Sequence, residues 1–255
     1  MSNEKNCILR GLCSLAGTER CSKLCPYFIS LHGASGKGGR VGDSIPQEYR
    51  KFTVAENPVR ESQPEIFKKL DIYVKSFERM FIEPEEPKDY IKNLYLWSEE
   101  PGTGKTATAS AVANDWQAIH YVGHLQRKMT PPDDAVYFLD CAEFQQLFTQ
   151  FTRGNVPHEV GQKASASYYQ MLEKAKKASL LVMDDIGARS ASEAFRHDLH
   201  AIINHRYVKK MPTVFTSNVH ITELTDIFDK KLMDRVRDLT LEFEFKGTSK
   251  RGRRK

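Results

Sequence analysis

Leu94-Tyr95-Leu96-Trp97-Ser98-Glu99-Glu100-Pro101-Gly102-Thr103-Gly104-Lys105-Thr106 decides the fold. An apolar run breaks into a glycine-containing loop that ends in Gly-Lys-Thr. Gly102 and Gly104 let the backbone turn its N–H groups inward around an anion. Lys105 supplies a cation for the β- and γ-phosphates of a nucleotide, and Thr106 offers its hydroxyl to Mg²⁺. Pro101, Thr103 and Ala107 complete the expected nucleotide-binding stretch. The helix expected from about Gly104 points its positive dipole end at the same phosphates. Ala109, Val112, Ala113 and Trp116 give that helix one apolar face at i, i+3, i+4 and i+7. A chain with this loop binds ATP or GTP. One residue departs from the full motif: Glu99 stands where a Gly is usual. Its charge is wrong for a phosphate neighbour, so it is expected to point away.

Two more segments read as strands with polar C-terminal ends. Ser179-Leu180-Leu181-Val182-Met183-Asp184-Asp185 is a short apolar run closed by two carboxylates, the pattern of a buried parallel strand. Ligands of open α/β sheets bind at that edge. Asp184 is therefore expected to hold Mg²⁺ through water, and Asp185 to orient or deprotonate the water attacking the γ-phosphate. A strand ending in a solvated turn is the plainer alternative for this run alone. Pro212-Thr213-Val214-Phe215-Thr216-Ser217-Asn218 repeats the pattern. Asn218 is expected to fix the attacking water, or else to cap a helix starting near Ile221.

These pieces, in this order, resemble the AAA+ ATPases, and more narrowly the bacterial helicase loaders of the DnaC and DnaI type. Trp97 to Thr106 takes the place of Walker A, Leu180 to Asp185 of Walker B, and Thr213 to Asn218 of sensor 1. Lys231-Leu232-Met233-Asp234-Arg235-Val236-Arg237 is similar to the family's box VII, with Arg235 in the arginine-finger position. The stretch from Phe245 to Arg251 is similar to the loaders' sensor 2 segment, with Arg251 on the nucleotide. The resemblance covers residues 46–251. It implies ATP-dependent placement of a hexameric replicative helicase on single-stranded DNA, with self-association through the ATP site. It also implies a P-loop three-layer sandwich around a five-stranded parallel sheet. Asp185 replaces the Glu usual in the wider superfamily, and the shorter acid suits weak hydrolysis. An arginine supplied in trans would couple turnover to assembly.

Strands are expected near 94–98, 135–140, 179–184, 212–217 and 239–245, with helical patterns between the first four, the alternation of a parallel sheet. Residues 64–82 carry apolar side chains at helical spacing, and residues 46–60 read as extended. The 37 residues after Asn218 (219–255) are few for a helical lid, so the lid is expected to be reduced or absent. Residues 33–42 are Gly-rich and read as a flexible hinge. The expected domains are a Cys-rich helicase-interaction segment at 1–41, a linker at 42–62, the ATPase at 63–250 and a basic tail at 251–255.

Four of the five cysteines, Cys7, Cys13, Cys21 and Cys25, lie in the first 25 residues. Reduced thiols are expected beside a nucleotide-binding core, so disulfides are disfavoured. Thiols this dense point to a metal, most simply tetrahedral Zn²⁺, with His32 as a substitute ligand. The spacing C-x5-C-x7-C-x3-C is irregular, and an iron–sulfur cluster or four unconnected cysteines stay open. Some loaders carry an N-terminal zinc-binding domain that contacts the helicase, and this end is similar to a compact version. Cys141 reads as a buried small hydrophobe.

Net charge is +5 and 40% of residues are apolar, enough for a core and compatible with a nucleic-acid partner. No run approaches the ~18 apolar residues of a membrane span. The start lacks an apolar secretion segment, so a bacterial cytoplasmic location, cellular or phage-encoded, is expected. The loader resemblance implies DNA contacts around 143–153 and 188–196. Phe151 and Arg153 offer a base-stacking face and a phosphate partner, and Arg189, Ser190 and Ser192 offer backbone contacts. Phe148 and Phe151 read at least as well as core residues. Two other functions share this core: a transposition ATPase of the IstB type, which binds duplex DNA, and a non-hydrolysing adaptor that only senses ATP.

Overall fold

The structure is a computed structural model. It describes residues 3–41, 45–83, 85–86, 89–187, 191–226 and 230–249, without the side chains of Thr225, Asp226, Lys230, Lys231, Leu232 and Arg235. The chain divides into two compact units. One comprises residues 92–106 and 137–255, the other residues 1–91 and 107–136.

The first of these units carries the sheet. Strands β1 (Asn93–Trp97), β2 (Val136–Asp140), β3 (Leu180–Asp184), β4 (Thr213–Ser217) and β5 (Thr240–Glu244) lie in the order β2-β3-β4-β1-β5. The registers of β1 with β4, β1 with β5, and β3 with β4 are all parallel. All five expected strands form, each within a residue or two of its sequence boundary. β3 shows why: Leu180, Leu181, Val182 and Met183 are fully buried, as a central parallel strand requires. β5, at the edge, buries only Phe243 and keeps Glu242 and Glu244 on its less buried positions, which blunts the edge against further pairing.

Helices α4 (Cys141–Thr152), α5 (His158–Lys177), α6 (Glu193–Val208) and α7 (Lys230–Asp238) belong to the same unit. The Asp140 carboxylate caps α4, accepting the N–H groups of Ala142 (2.8 Å) and Glu143 (3.0 Å). Phe144 stacks on Tyr168 with ring centroids 4.3 Å apart. The apolar stripe of α6, Phe195, Leu199, Ile202 and Ile203, is core, and its next position is Arg206. That buried guanidinium donates to the carbonyls of Ala175, Ala178 and Pro212 and to the Thr213 hydroxyl. It ties the ends of α5 and α6 to the start of β4. Met233 and Val236 fix α7 to the same core.

In the other unit, α1 (Pro26–His32), α2 (Pro64–Lys75) and most of α3 (Lys105–Gln126) surround a second core. Ile8, Leu9, Leu31 and Val41 pack with Ala118 and Tyr121 of α3. The expected helix over 64–82 stops being α-helical at Lys75 and runs on as a 3₁₀ segment, Ser76–Phe81. The Ser76 hydroxyl donates to the Tyr73 carbonyl (2.6 Å), a bond that tightens this turn. Residues 46–60 are not extended: they hold a 3₁₀ turn at Gln47–Tyr49 and a series of hydrogen-bonded turns. The expected Gly-rich hinge is a pinned turn through residue 41. Gly38 N–H bonds to His32, Val41 N–H bonds to Leu31, and Arg40 holds the Pro131 and Pro132 carbonyls and Asp133. At Gly39 (φ 72°) a Cβ would come within 2.6 Å of the Gly33 nitrogen, so only glycine closes this turn.

Candidate active site

The strand order sets the site. β4 lies between β1 and β3, so the three carboxyl ends sit side by side. Leu96 pairs with Thr216, and Met183 with Phe215, which brings the loop after β1, the acids ending β3 and the polar end of β4 to one level. All these residues up to Thr106 belong to one compact unit.

The loop after β1 turns at Gly102 (φ 75°) and Gly104 (φ 103°), both in the left-handed region where glycine is favoured. Thr103 and Lys105 are buried, and Pro101 and Glu99 are exposed, so Glu99 points away as expected. α3 begins at Lys105. The Lys105 ammonium donates to the Ser98 carbonyl (3.3 Å) and the Glu100 carbonyl (3.2 Å). Ala107 continues the helix, its carbonyl accepting from the Asn57 amide.

The acids are joined by a hydrogen-bonded chain. The Thr106 hydroxyl donates to Asp184 Oδ2 (3.2 Å), and the Thr216 hydroxyl donates to Asp184 Oδ1 (2.6 Å). Thr216 Oγ1 in turn accepts the Asp185 N–H (2.9 Å), and the Asn218 amide donates to Asp185 Oδ1 (2.9 Å). Asp185 sits at φ 58°, a left-handed conformation that Asp and Asn adopt more readily than other non-glycine residues. Burial lifts the Asp184 carboxyl to about 6, while its two hydroxyl donors pull the other way. Cys141 is buried nearby, its thiol pushed well up by burial and then by Asp184.

Thr216 is the residue that the sequence reading missed. Its signal was a hydroxyl inside an otherwise apolar strand, and a buried hydroxyl needs partners. The other expected residues are not gathered here. Arg153 is exposed at the end of α4. Phe151 packs against Tyr168 and Phe148, with centroids 5.2 and 5.4 Å away. Ser192 is the N-cap of α6, accepting the Phe195 N–H. Arg189, Ser190, Arg251 and the side chain of Arg235 lie outside the described residues.

The zinc site finds no support. Among the described residues, no three His, Cys, Asp or Glu side chains are grouped to hold a metal ion. Cys7, Cys13, Cys21 and Cys25 stand on separate turns, all half-buried and free. His32 is no substitute ligand: its Nε2 accepts the Ile8 N–H (3.2 Å), and its ring stacks on Phe28. Burial, then the charges of Lys51 and Arg10, lowers its pKa to about 4.

A phosphate-binding loop, paired acids and a polar strand end on a sheet of this order define a P-loop ATPase of the AAA+ class. Comparison with known proteins agrees and narrows the class. The chain belongs to the family of IstB-like ATP binding proteins, whose profile matches residues 89–255. It is similar to the replicative helicase loader DnaC of Escherichia coli (strain K12), 24% identical over 143 residues, 56% of this chain and 49% of the relative. The chain thus spans about half the length of the curated relatives it matches. Among solved structures, DnaI aligns with a TM-score of 0.53 at 21% identity, over 81% of this chain and 94% of that one. AMPPCP-bound DnaA from Aquifex aeolicus aligns at 0.52 and 16% identity, over 80% of this chain and 51% of that one.

Proposed function

We propose that the chain is a weak ATPase that acts as a replicative helicase loader, binding a hexameric DNA helicase and delivering it onto single-stranded DNA. The observation that carries the nucleotide part is the chain Thr106–Asp184–Thr216–Asp185–Asn218 beside the Lys105 loop. The residues suit a Mg²⁺–triphosphate. Lys105 is held by two neutral carbonyls that a phosphate outcompetes, and the Thr106 hydroxyl and Asp184 carboxylate already converge at 3.2 Å. In this reading Pro101 to Ala107 cradle the phosphates, and Thr106 and Asp184 hold the metal. The metal would neutralise charge on the phosphate oxygens. Asp185, steadied by Asn218, orients the attacking water and accepts its proton. Arg235 and Arg251 act on the same phosphates, Arg235 from a second copy. Arg153, Phe151, Arg189 and Ser192 are the proposed single-strand contacts, and residues 1–41 the helicase-facing segment.

The loader role is supported by the similarity to DnaC, at low identity. A second reading, a transposition ATPase on duplex DNA, is favoured by the name of the matched family. No helix among the described residues is long and apolar enough to cross a membrane, which is compatible with a cytoplasmic site of action. Co-purification with a replicative helicase, with and without ATP, tests the loader reading. Failure to retain any such helicase, together with ATPase stimulation by duplex rather than single-stranded DNA, would favour transposition.

A further inference from the structure

The four N-terminal cysteines face one pocket. Each closes a tight turn with its own N–H: Cys7 to the Glu4 carbonyl, Cys13 to Leu9, Cys21 to Thr18 and Cys25 to Ser22. A further bond, Asn3 N–H to the Cys21 carbonyl (2.8 Å), draws the first and third turns together. All four cysteines line a single pocket that opens to solvent, with Leu15 and Phe28 among its walls. The charges of Cys13, Cys21 and Cys25 all act on the Cys7 thiol, so the four are near neighbours.

They are nevertheless not grouped for one metal ion. Zinc binds thiolate at ~2.3 Å, which requires four sulfurs within about 4 Å of each other. A cubane differs: each thiolate binds its own iron at a separate corner, so the four sulfurs stand further apart around a wider space. Two more groups in the pocket wall suit an anionic cluster. Asn3 Nδ2 and Arg10 Nε are buried donors with no hydrogen-bond partner, and both residues line this pocket. Unpaired buried donors are costly, and N–H bonds to cluster sulfurs would satisfy them.

We propose that Cys7, Cys13, Cys21 and Cys25 hold a [4Fe–4S] cluster, with Asn3 and Arg10 donating to its sulfurs. Taking up a preformed core from a donor thiolate complex makes four S–Fe bonds to this chain and breaks four to the donor, whose thiolates take the four thiol protons, and no electron moves. The cluster is independent of the ATP site, so it stands or falls apart from the ATPase reading.

The test is to purify the full chain without oxygen and to measure iron, acid-labile sulfide and zinc. About four iron and four sulfide per chain are expected, with a visible charge-transfer band that bleaches on reduction. Cys13→Ala and Cys21→Ala should each lose most of the iron and sulfide together, whereas Cys141→Ala keeps both. If the variants fail to fold, the wild-type chain decides the matter: after anaerobic incubation with iron, sulfide and a thiol reductant it should carry the cluster. One zinc per chain without sulfide, or a folded chain that takes up neither iron nor sulfide, would overturn the proposal.

Discussion

Replacing Thr216 by valine isolates the joint of the site. Valine keeps the β-branched shape in a fully buried strand position, so packing changes little and the hydroxyl alone is lost. That hydroxyl makes two bonds, one to the Asp184 carboxylate at 2.6 Å and one from the Asp185 N–H at 2.9 Å. A hydrogen bond to a charged group contributes about 1.5–3 kcal/mol, and a buried donor left unpaired costs about 1–3 kcal/mol. Both losses share one atom and do not add fully, so about 3 kcal/mol is expected for the pair. At ~2–4 °C per kcal/mol for a chain of this size, the melting temperature should fall by about 6–12 °C. Thr216→Ser keeps the hydroxyl and should recover most of this. In nucleotide binding, the Mg²⁺-dependent part of ATP affinity should drop about tenfold, the equivalent of ~1.4 kcal/mol, because Asp184 loses its anchor. Binding without Mg²⁺, which rests on the Lys105 loop, should hardly change. The measurements are thermal unfolding and fluorescent-ATP titration with and without Mg²⁺. Equal melting of wild type, Thr216→Val and Thr216→Ser would refute the reasoning.

Three further outcomes are expected. Lys105→Ala should abolish measurable ATP binding in the same titration while the fold persists, and an unchanged affinity would sink the phosphate-loop assignment. Asp185→Asn should bind ATP normally, because Asn also tolerates the left-handed backbone at this position, yet turn over at least tenfold more slowly in a phosphate-release assay; normal turnover would move the base elsewhere. His32 has a folded pKa of about 4, below its ordinary value, so its neutral form stabilises the fold. That contribution is complete above about pH 6.5, is lost as pH falls towards 4, and comes to about 2 kcal/mol lost by pH 5. His120, held near 4 by burial as well, contributes a similar loss to both proteins, so stability from urea unfolding at pH 7 and 5 should fall by about 2 kcal/mol more in wild type than in His32→Gln; equal losses would contradict it.

The catalytic edge was legible because its signals are local. A glycine pair before Gly-Lys-Thr, and apolar strands closed by acids, state their chemistry within a few residues. Strand order is not local, yet the three segments could be matched to known motifs, and the sheet places β4 between β1 and β3. Thr216 was missed because its role depends on that adjacency: within its own strand it is one more β-branched residue. Arg206 was missed for a related reason. It continues the apolar stripe of α6 with a charge, which by spacing alone looks like the end of the buried face. The partners that make it tolerable are carbonyls at the end of α5, just before β3, and just before β4, brought together only by packing. The N-terminal segment misled in the opposite direction. Its cysteine density pointed to one zinc, and its glycines to a hinge. The glycine turn is fixed by bonds from Arg40 and Val41, and the cysteine turns by their own N–H groups and that of Asn3, which no spacing rule supplies.

Asp184 divides its two oxygens between unlike tasks, and this decides how a metal could enter. Oδ1 takes the shorter bond, 2.6 Å from Thr216, while Oδ2 takes the longer one, 3.2 Å from Thr106. Thr106 lies in the phosphate loop, and Thr216 lies within the sheet. Thr106 and Asp184 Oδ2, joined only by the weaker bond, are the groups that would hold a divalent cation brought by the phosphates, which would neutralise phosphate charge there. The bond to Thr216 need not break, because it uses the other oxygen. Burial raises the cost of charge on Asp184, and a divalent ion removes that cost more effectively than a hydroxyl does. The same logic holds at Lys105, whose carbonyl partners at 3.2 and 3.3 Å are longer than a good ammonium–phosphate contact. The edge is thus held together by its own weaker bonds in places where a metal–triphosphate would form stronger ones, so ligand binding need not dismantle the sheet-side anchor that aims the acids.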